Sequence, residues 1–545
     1  MPTAIHYNSV HTPEARTLFG IEVAVLQWLE AFFRYGRQEK FPFLIADSRA
    51  KDEIEEITAK AGLDPARLQL LDRRAARENL ARFETVFRAD LHAGNLLWQR
   101  QGLAPGFAFC SLSHAVSGIE GGKLLEHYCL APTENSDAIV CPSRAIANVI
   151  RTFWDIYGDY LKHRFGVDFK CPVQLPVIPL GLDVETFAAR ATPEKRDRQR
   201  HALGLGENEI ALLWVGRLSH AIKAHPLAMF QAAERAAELT GAAVRLVMQG
   251  YFVPPEAEGQ FRKLAQDICH KATVTFIAND DARFPDGLWA AGDIFFSLID
   301  NMQESFGLTP IEAMAAGLPR VVSDWDGYRD SVVDGEDGFL IPTRQPPPGA
   351  GGDLAALLRD GREIYGGFLG KTSLSVAIDS EAAARAIALL IENKDRRAAM
   401  VAKARARAQA VYDWRHIIPA YESLWEELAA KRCRESRPAV PPNWPLVPDP
   451  FTLYAGYASA PLKESDRLAV ALPAETIKML LGHDINLLAL DMMIAPDRTT
   501  ALINHIAAQG PLAIGALFAA FPDLDRAALW RTLGWLLKLA ILRVP

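Results

Sequence analysis

Short apolar runs alternate with longer amphipathic stretches along most of this chain, and the alternation sets the elements. Phe41–Ala46, Phe107–Leu112 and Asp137–Cys141 are runs too short for helices and read as strands. Ser143 follows the third run and suits a helix N-cap, so a helix is expected from there. Val177–Asp183 closes this first series. A charged helix over about Pro193–Leu203 leads into a second one. Its strands are expected at Glu209–Gly216, Val244–Gly250, Val274–Ile277, Asp293–Leu298 and Arg320–Asp324, with a helix over about Pro226–Leu239 after the first. Strands alternating with helices predict parallel sheets covered on both faces, here as two doubly wound units. Ligands in such units bind at the carboxyl ends of the strands.

A Pro-rich stretch, Ser436–Pro445, marks a linker. Helical patterns near Pro473–Leu481, Pro496–Gln509, Ile514–Ala520 and Leu524–Leu539 then predict a small, mostly helical unit. The expected division is 1–185, 186–432, a linker over 433–460, and a helical module over 461–545.

The chain has 545 residues, too many for one core, which agrees with that division. A net charge of -7 gives no reason to expect a nucleic-acid partner. The 6 cysteines are scattered without a Cys-x-x-Cys pair, so they read as reduced thiols and not as a disulfide framework or zinc site. Met1–His6 lacks the basic region and long apolar stretch of a signal peptide, and no apolar run reaches bilayer length. The expectation is a cytoplasmic protein, at most peripheral to the inner face of a membrane. Arg144, Arg151, Lys162, His163 and Arg164, with Phe153, Trp154 and Tyr157, dot the helix after Ser143. They read equally as a membrane or acceptor surface and as a solvated face over core aromatics.

The chemistry concentrates in Glu304-Ser305-Phe306-Gly307-Leu308-Thr309-Pro310-Ile311-Glu312-Ala313-Met314-Ala315-Ala316-Gly317-Leu318-Pro319. Pro310 suits a first helical turn, strong helix formers follow, and Gly317-Leu318-Pro319 stops the helix. A helix N-terminus offers free N–H groups to an anion such as a phosphate. Glu304 precedes the helix and Glu312 lies in its first turns. Both carboxylates can accept from hydroxyls of a ligand whose phosphates rest on the amides.

This run resembles the glutamate signature of the retaining family 4 glycosyltransferases. That resemblance implies the GT-B fold: two Rossmann-like doubly wound domains facing a cleft, here followed by a small, mostly helical C-terminal domain. It implies that Glu304 holds donor-sugar hydroxyls, that the amides near Phe306, Gly307 and Leu308 hold sugar and phosphate oxygens, and that Glu312 holds the ribose. Gly216-Arg217-Leu218 and Lys223 end the first strand of the second unit; in the resembled family the arginine and lysine there clamp the diphosphate. Ala224 stands where the family commonly has glycine. His114, at the end of a first-unit strand, resembles the cleft histidine that contacts the donor sugar. Near the N-terminus Phe19-Gly20 stands for the family's two glycines, and Leu180 stands where asparagine is usual. The landmarks run in the family's order: Val-Gly-Arg, the glutamate loop, Asp337–Pro342, then Tyr412-Asp413-Trp414 before a helix that crosses back to the first domain.

The implied activity is retaining transfer of a sugar from a nucleotide-diphosphate donor, a UDP- or GDP-sugar, to an acceptor the sequence does not identify. No metal and no further cofactor is expected; Asp324-Trp325-Asp326 has metal-ligand spacing but follows the glutamate helix. The tail has the rhythm of a winged-helix module, but its basic residues are matched by acidic ones, which favours docking, dimerisation or acceptor recruitment over DNA. Two rivals stay open at this point: a GT-B epimerase or phosphorylase, and a non-catalytic GT-B scaffold that senses a nucleotide.

Overall fold

The structure, a computed structural model, describes residues 3–9, 20–45, 48–72, 79–101, 103, 106–434 and 444–545. Ala46, Phe19 and the Pro-rich stretch up to Asn443 lie outside the described residues. The chain divides into two compact units, Met1–Pro442 and Asn443–Pro545.

The first unit holds two six-stranded parallel sheets. One contains β1 (Thr3–Tyr7), β2 (Phe41–Ile45), β3 (Leu68–Asp72), β4 (Thr85–Arg88), β5 (Ala108–Leu112) and β6 (Ala138–Val140), in the order β3-β2-β1-β4-β5-β6. The other contains β7 (Ile210–Val215), β8 (Val244–Gln249), β9 (Thr273–Ile277), β10 (Ile294–Ser297), β11 (Arg320–Ser323) and β12 (Gly338–Ile341), in the order β12-β11-β10-β7-β8-β9. Strands buried on both faces account for the unbroken apolar runs: all of β1, β4 and β5 is buried. Register stacks like with like, as where Ile5 sits between Phe43 and Phe87. The strand order reverses between β1 and β4 in one sheet and between β7 and β10 in the other. A ligand crevice opens beyond the strand ends at each reversal.

The helix Trp414–Arg434 follows the second sheet in sequence but packs on the first. Its Tyr421 and Trp425 are buried against Trp28 and Phe87, with ring centroids 4.8–6.3 Å apart within this group. Such ring pairs add roughly 0.5–1.5 kcal/mol each beyond area burial. Glu422 accepts from the Arg37 backbone N–H at 2.8 Å and from its Nε at 2.7 Å. The charged helix Pro193–Ala202 is capped by Thr192, and its Arg196 and Arg200 converge on Asp293 at 2.5 and 3.0 Å, before β10.

The strands β1, β3 and β4 of the first sheet and one excursion are absent from the sequence reading. Between β12 and the helix Ser380–Glu392, β13 (Thr343–Arg344) pairs antiparallel with β14 (Ala377–Ile378), pinning the base of a segment that carries helices Gly352–Arg359 and Tyr365–Ser373.

The second unit is mostly helical, with helices Ala474–Leu481, Pro496–Gln509, Ile514–Ala520 and Arg526–Lys538 around a core that includes Leu502, Ile506, Leu517, Leu529, Leu533 and Leu536. It also contains a small antiparallel sheet: β15 (Arg467–Val470) lies between β16 (Leu512–Ala513) and β17 (Leu542–Arg543). These strands are two to four residues long, too short to show a period in sequence.

Candidate functional site

The glutamate run takes the shape its residue types dictate. Gly307 has φ 84°, and a Cβ there would lie 2.2 Å from the buried Tyr328 ring, so only glycine fits this turn. The helix runs Leu308–Ala316, and Gly317 at φ 80° ends it in the left-handed conformation. Phe306 is buried and anchors the turn, and the first amides of the helix open onto a cavity.

That cavity, of about 540 Å³, lies at the carboxyl ends of both sheets. Gly20, His114 and Leu180 line it from the first sheet's side; Gly216, Arg217, Lys223, the run Gln303–Thr309 and Glu312 line it from the second. It brings together the residues singled out in sequence: Gly20, His114, Arg217, Lys223, Glu304, Phe306, Gly307, Leu308 and Glu312. Arg217 and Lys223 follow β7 and Glu304 follows β10, so they flank the second sheet's strand reversal.

Lys223 Nζ and Glu304 Oε2 form an ion pair at the cavity wall, with side chains 15% and 17% exposed. Burial alone would lower the Lys223 ammonium pKa, but the Glu304 carboxylate outweighs it and the net shift is upward. Burial opposes the Glu304 carboxylate too, yet Lys223 and Arg217 hold its pKa below the ordinary value. Arg217 Nη2 donates to Gln303 Oε1 at 3.3 Å. Glu312 differs: burial pushes its carboxyl up to about 7, with Arg190 and Lys223 opposing less strongly. His114 Nε2 donates to the Ala89 carbonyl at 2.9 Å. Burial depresses the imidazole's pKa despite that bond, so the ring is neutral near pH 7 and its Nδ1 is an acceptor.

Gln303, Tyr251 and Asn279 line the cavity without a signal in the sequence. Gln303 holds Arg217 from the position next to Glu304. Tyr251 and Asn279 line the cavity from beyond β8 and β9. Asp326, at φ 37°, accepts from Tyr328 N at 3.1 Å; burial, then the Glu304 carboxylate, push its carboxyl well up. In the Asp-Trp-Asp run, Asp324 pairs with Arg329 at 2.9 Å. Among the described residues, no three His, Cys, Asp or Glu cluster as a metal group. On the helix Arg144–Phe165, Trp154 Nε1 donates to Leu125 O, Tyr157 Oη to Glu126, and Arg144 Nε to Asp330 beside the second sheet. These bonds tie the helix to its neighbouring helix Gly118–Leu130 and to the second sheet's side.

Two doubly wound sheets sharing a cleft at their strand ends, with this glutamate helix, define the GT-B class. Residues 195–361 match the family model described as glycosyl transferases group 1. The D-inositol 3-phosphate glycosyltransferase of Geodermatophilus obscurus is 30% identical over 203 residues, 36% of this chain and 43% of that protein. The protein of the same name from Frankia alni is 31% identical over 252 residues, 44% of this chain and 58% of that one. The chain thus matches about half the length of these relatives. Among solved structures, a glycosyltransferase from Rickettsia africae aligns over 78% of this chain and 98% of its own, with TM-score 0.51 and 14% identity. Anabaena Alr3699/HepE in complex with UDP aligns over 78% and 100%, with TM-score 0.50 and 15% identity. At these identities the likeness concerns the fold.

Proposed function

We propose that this chain is a retaining glycosyltransferase that moves a sugar from a nucleotide-diphosphate donor to an acceptor hydroxyl without a metal ion. The observation that carries the reading is the Lys223–Glu304 pair beside the N-terminus of the glutamate helix, with Arg217 next to it. The bond from the anomeric carbon to the diphosphate oxygen breaks, and the leaving group gathers negative charge. Arg217, Lys223 and the amides at Phe306–Leu308 supply fixed positive charge and aimed donors where it develops. Glu304 exchanges Lys223 for sugar hydroxyls as the phosphates draw the ammonium away. Glu312 accepts from the ribose. The acceptor oxygen bonds the anomeric carbon on the face the leaving group vacates, and its proton passes to the leaving phosphate. His114, neutral and fixed by Ala89, orients the sugar through Nδ1.

The sequence pattern over 195–361 and the relatives' names support this class, and the UDP held by one neighbour of the same fold makes a uridine donor the first to test. The test incubates the protein with UDP- and GDP-sugars, with and without D-inositol 3-phosphate, with EDTA in parallel. Nucleotide release with retained anomeric configuration, unaffected by EDTA, is expected. Absence of binding and turnover with every donor would refute the proposal, and complete, reversible loss with EDTA would refute its metal independence.

A further inference from the structure

The excursion pinned by β13 and β14 packs on two loops that border the cleft. Its helix Tyr365–Ser373 rests on the loop that carries Lys223: a Cβ added at Gly370 would lie 3.1 Å from Ala221 Cβ, and one at Gly366 would lie 3.7 Å from Ile222 Cγ2. Ile222 and Lys223 line the cavity, and Asn301 Nδ2 holds Ala221 O from the other side at 2.7 Å. The same helix begins with Tyr365, which crosses to the first sheet's side. Its hydroxyl lies 2.7 Å from Ser117 Oγ, and its ring covers Gly118, where a Cβ would sit 2.8 Å from Cδ2 and Cε2. Ser117 and Gly118 closely follow His114 and Ala115, which line the cavity opposite Lys223. The helix therefore touches the loop after β7 through Gly366 and Gly370 and the loop after β5 through the Tyr365 side chain.

We infer that Tyr365 is a positioning residue that closes one side of the cleft, keeping water from the donor behind Ile222 and Lys223 and leaving the acceptor hydroxyl as the nucleophile. This rests on the glycosyltransferase reading. A transferase must favour the acceptor over bulk water, and excluding water from the reacting centre is the general means. Most of the wall is the ring against Gly118; the hydroxyl bond to Ser117 lies at a wet edge and adds alignment. An ion pair between Glu363, just before the helix, and Lys371, in its last turn, braces the helix in addition to its packing on the loop after β7.

The test compares Tyr365→Ala, Tyr365→Phe and Ser117→Ala with the unaltered full chain. UDP and GDP binding is measured by calorimetry, and donor hydrolysis in water by nucleotide release from UDP- and GDP-sugars. We expect Tyr365→Ala to bind nucleotide within about twofold of the unaltered chain but to hydrolyse donor at least fivefold faster. Tyr365→Phe, which keeps the ring, should stay within about twofold on both readouts, as should Ser117→Ala. Normal nucleotide binding with unchanged hydrolysis in Tyr365→Ala would overturn the inference. Hydrogen exchange is read on the same variants: faster exchange confined to 114–120 and 363–373 supports a wall, and faster exchange throughout both sheets would reduce Tyr365 to a folding role and overturn it. Failure of the unaltered chain to bind any nucleotide would instead remove the glycosyltransferase reading and this inference with it.

Discussion

Replacing Lys223 by alanine should weaken nucleotide binding and also destabilise the empty protein, and the two effects can be separated. The lysine and Glu304 are each about one-sixth exposed, so the pair is largely removed from water. Taking one partner from a buried pair costs about 3–5 kcal/mol, because the other charge stays buried. Here partial exposure and the neighbouring Arg217 reduce that to about 2 kcal/mol. Losing a charge-assisted bond to phosphate removes a further ~1.5–3 kcal/mol from UDP binding, or roughly 10- to 150-fold in Kd. In Lys223→Ala/Glu304→Gln the orphaned carboxylate is gone, so stability should return to within about 1 kcal/mol of the parent while UDP affinity stays low. Chemical denaturation and calorimetry with UDP read the two quantities on one set of proteins. Unchanged UDP affinity in Lys223→Ala would refute the assignment. Recovery of affinity in the double variant would show that the lysine merely neutralises Glu304 and does not itself hold the phosphate.

Glu304→Ala should impair discrimination among donor sugars more than binding of the bare nucleotide, and Glu312→Ala the reverse; titration of both with UDP and with UDP-sugars reads the split, and equal losses for both ligands would sink it. Asp300, 4% exposed, accepts from His225 N at 3.3 Å, and burial pushes its carboxyl up to about 7. Its folded pKa is above the unfolded value, so its stabilising contribution is full below about pH 4 and is lost as pH rises through 7. Asp300→Asn should therefore gain stability relative to the parent between pH 5 and pH 8 by up to ~3 kcal/mol, and a difference in denaturation free energy that is flat with pH would contradict this. Deleting residues 461–545 should leave a folded protein with unaltered UDP affinity, because the cavity-lining residues all belong to the first compact unit. An aggregated product, or a soluble one that does not bind, would place the second unit within the catalytic fold.

The site was legible where a residue's role is local. Gly307, Pro310 and Gly317 announce a turn, a helix start and a helix stop because each acts within one turn of its own backbone, and the structure has the helix where they put it. The same holds for the Ser143 cap and for the strands buried on both faces. Glu304, Glu312, Arg217 and Lys223 could be listed from sequence as charged residues at strand or helix ends.

What the sequence by itself determined was therefore the alternation of strands and helices into two doubly wound units, the strands β2, β5, β6 and β7 to β11, and the identity of the charged groups near the strand ends, since periodicity and capping are properties of neighbouring residues. Only the tertiary structure decided which of those groups meet. Lys223 pairs with Glu304 across 81 positions of chain. Tyr365 joins Ser117 across 248, and Glu422 joins Arg37 across 385. The three strands of the second unit exist only through one another, and the raised pKa values of Glu312, Asp300 and Asp326 come from burial that no local pattern encodes. Contacts of this kind form when packing brings distant segments together and removes water from between them, so their partners and strengths are set by the whole core and not by any stretch of sequence.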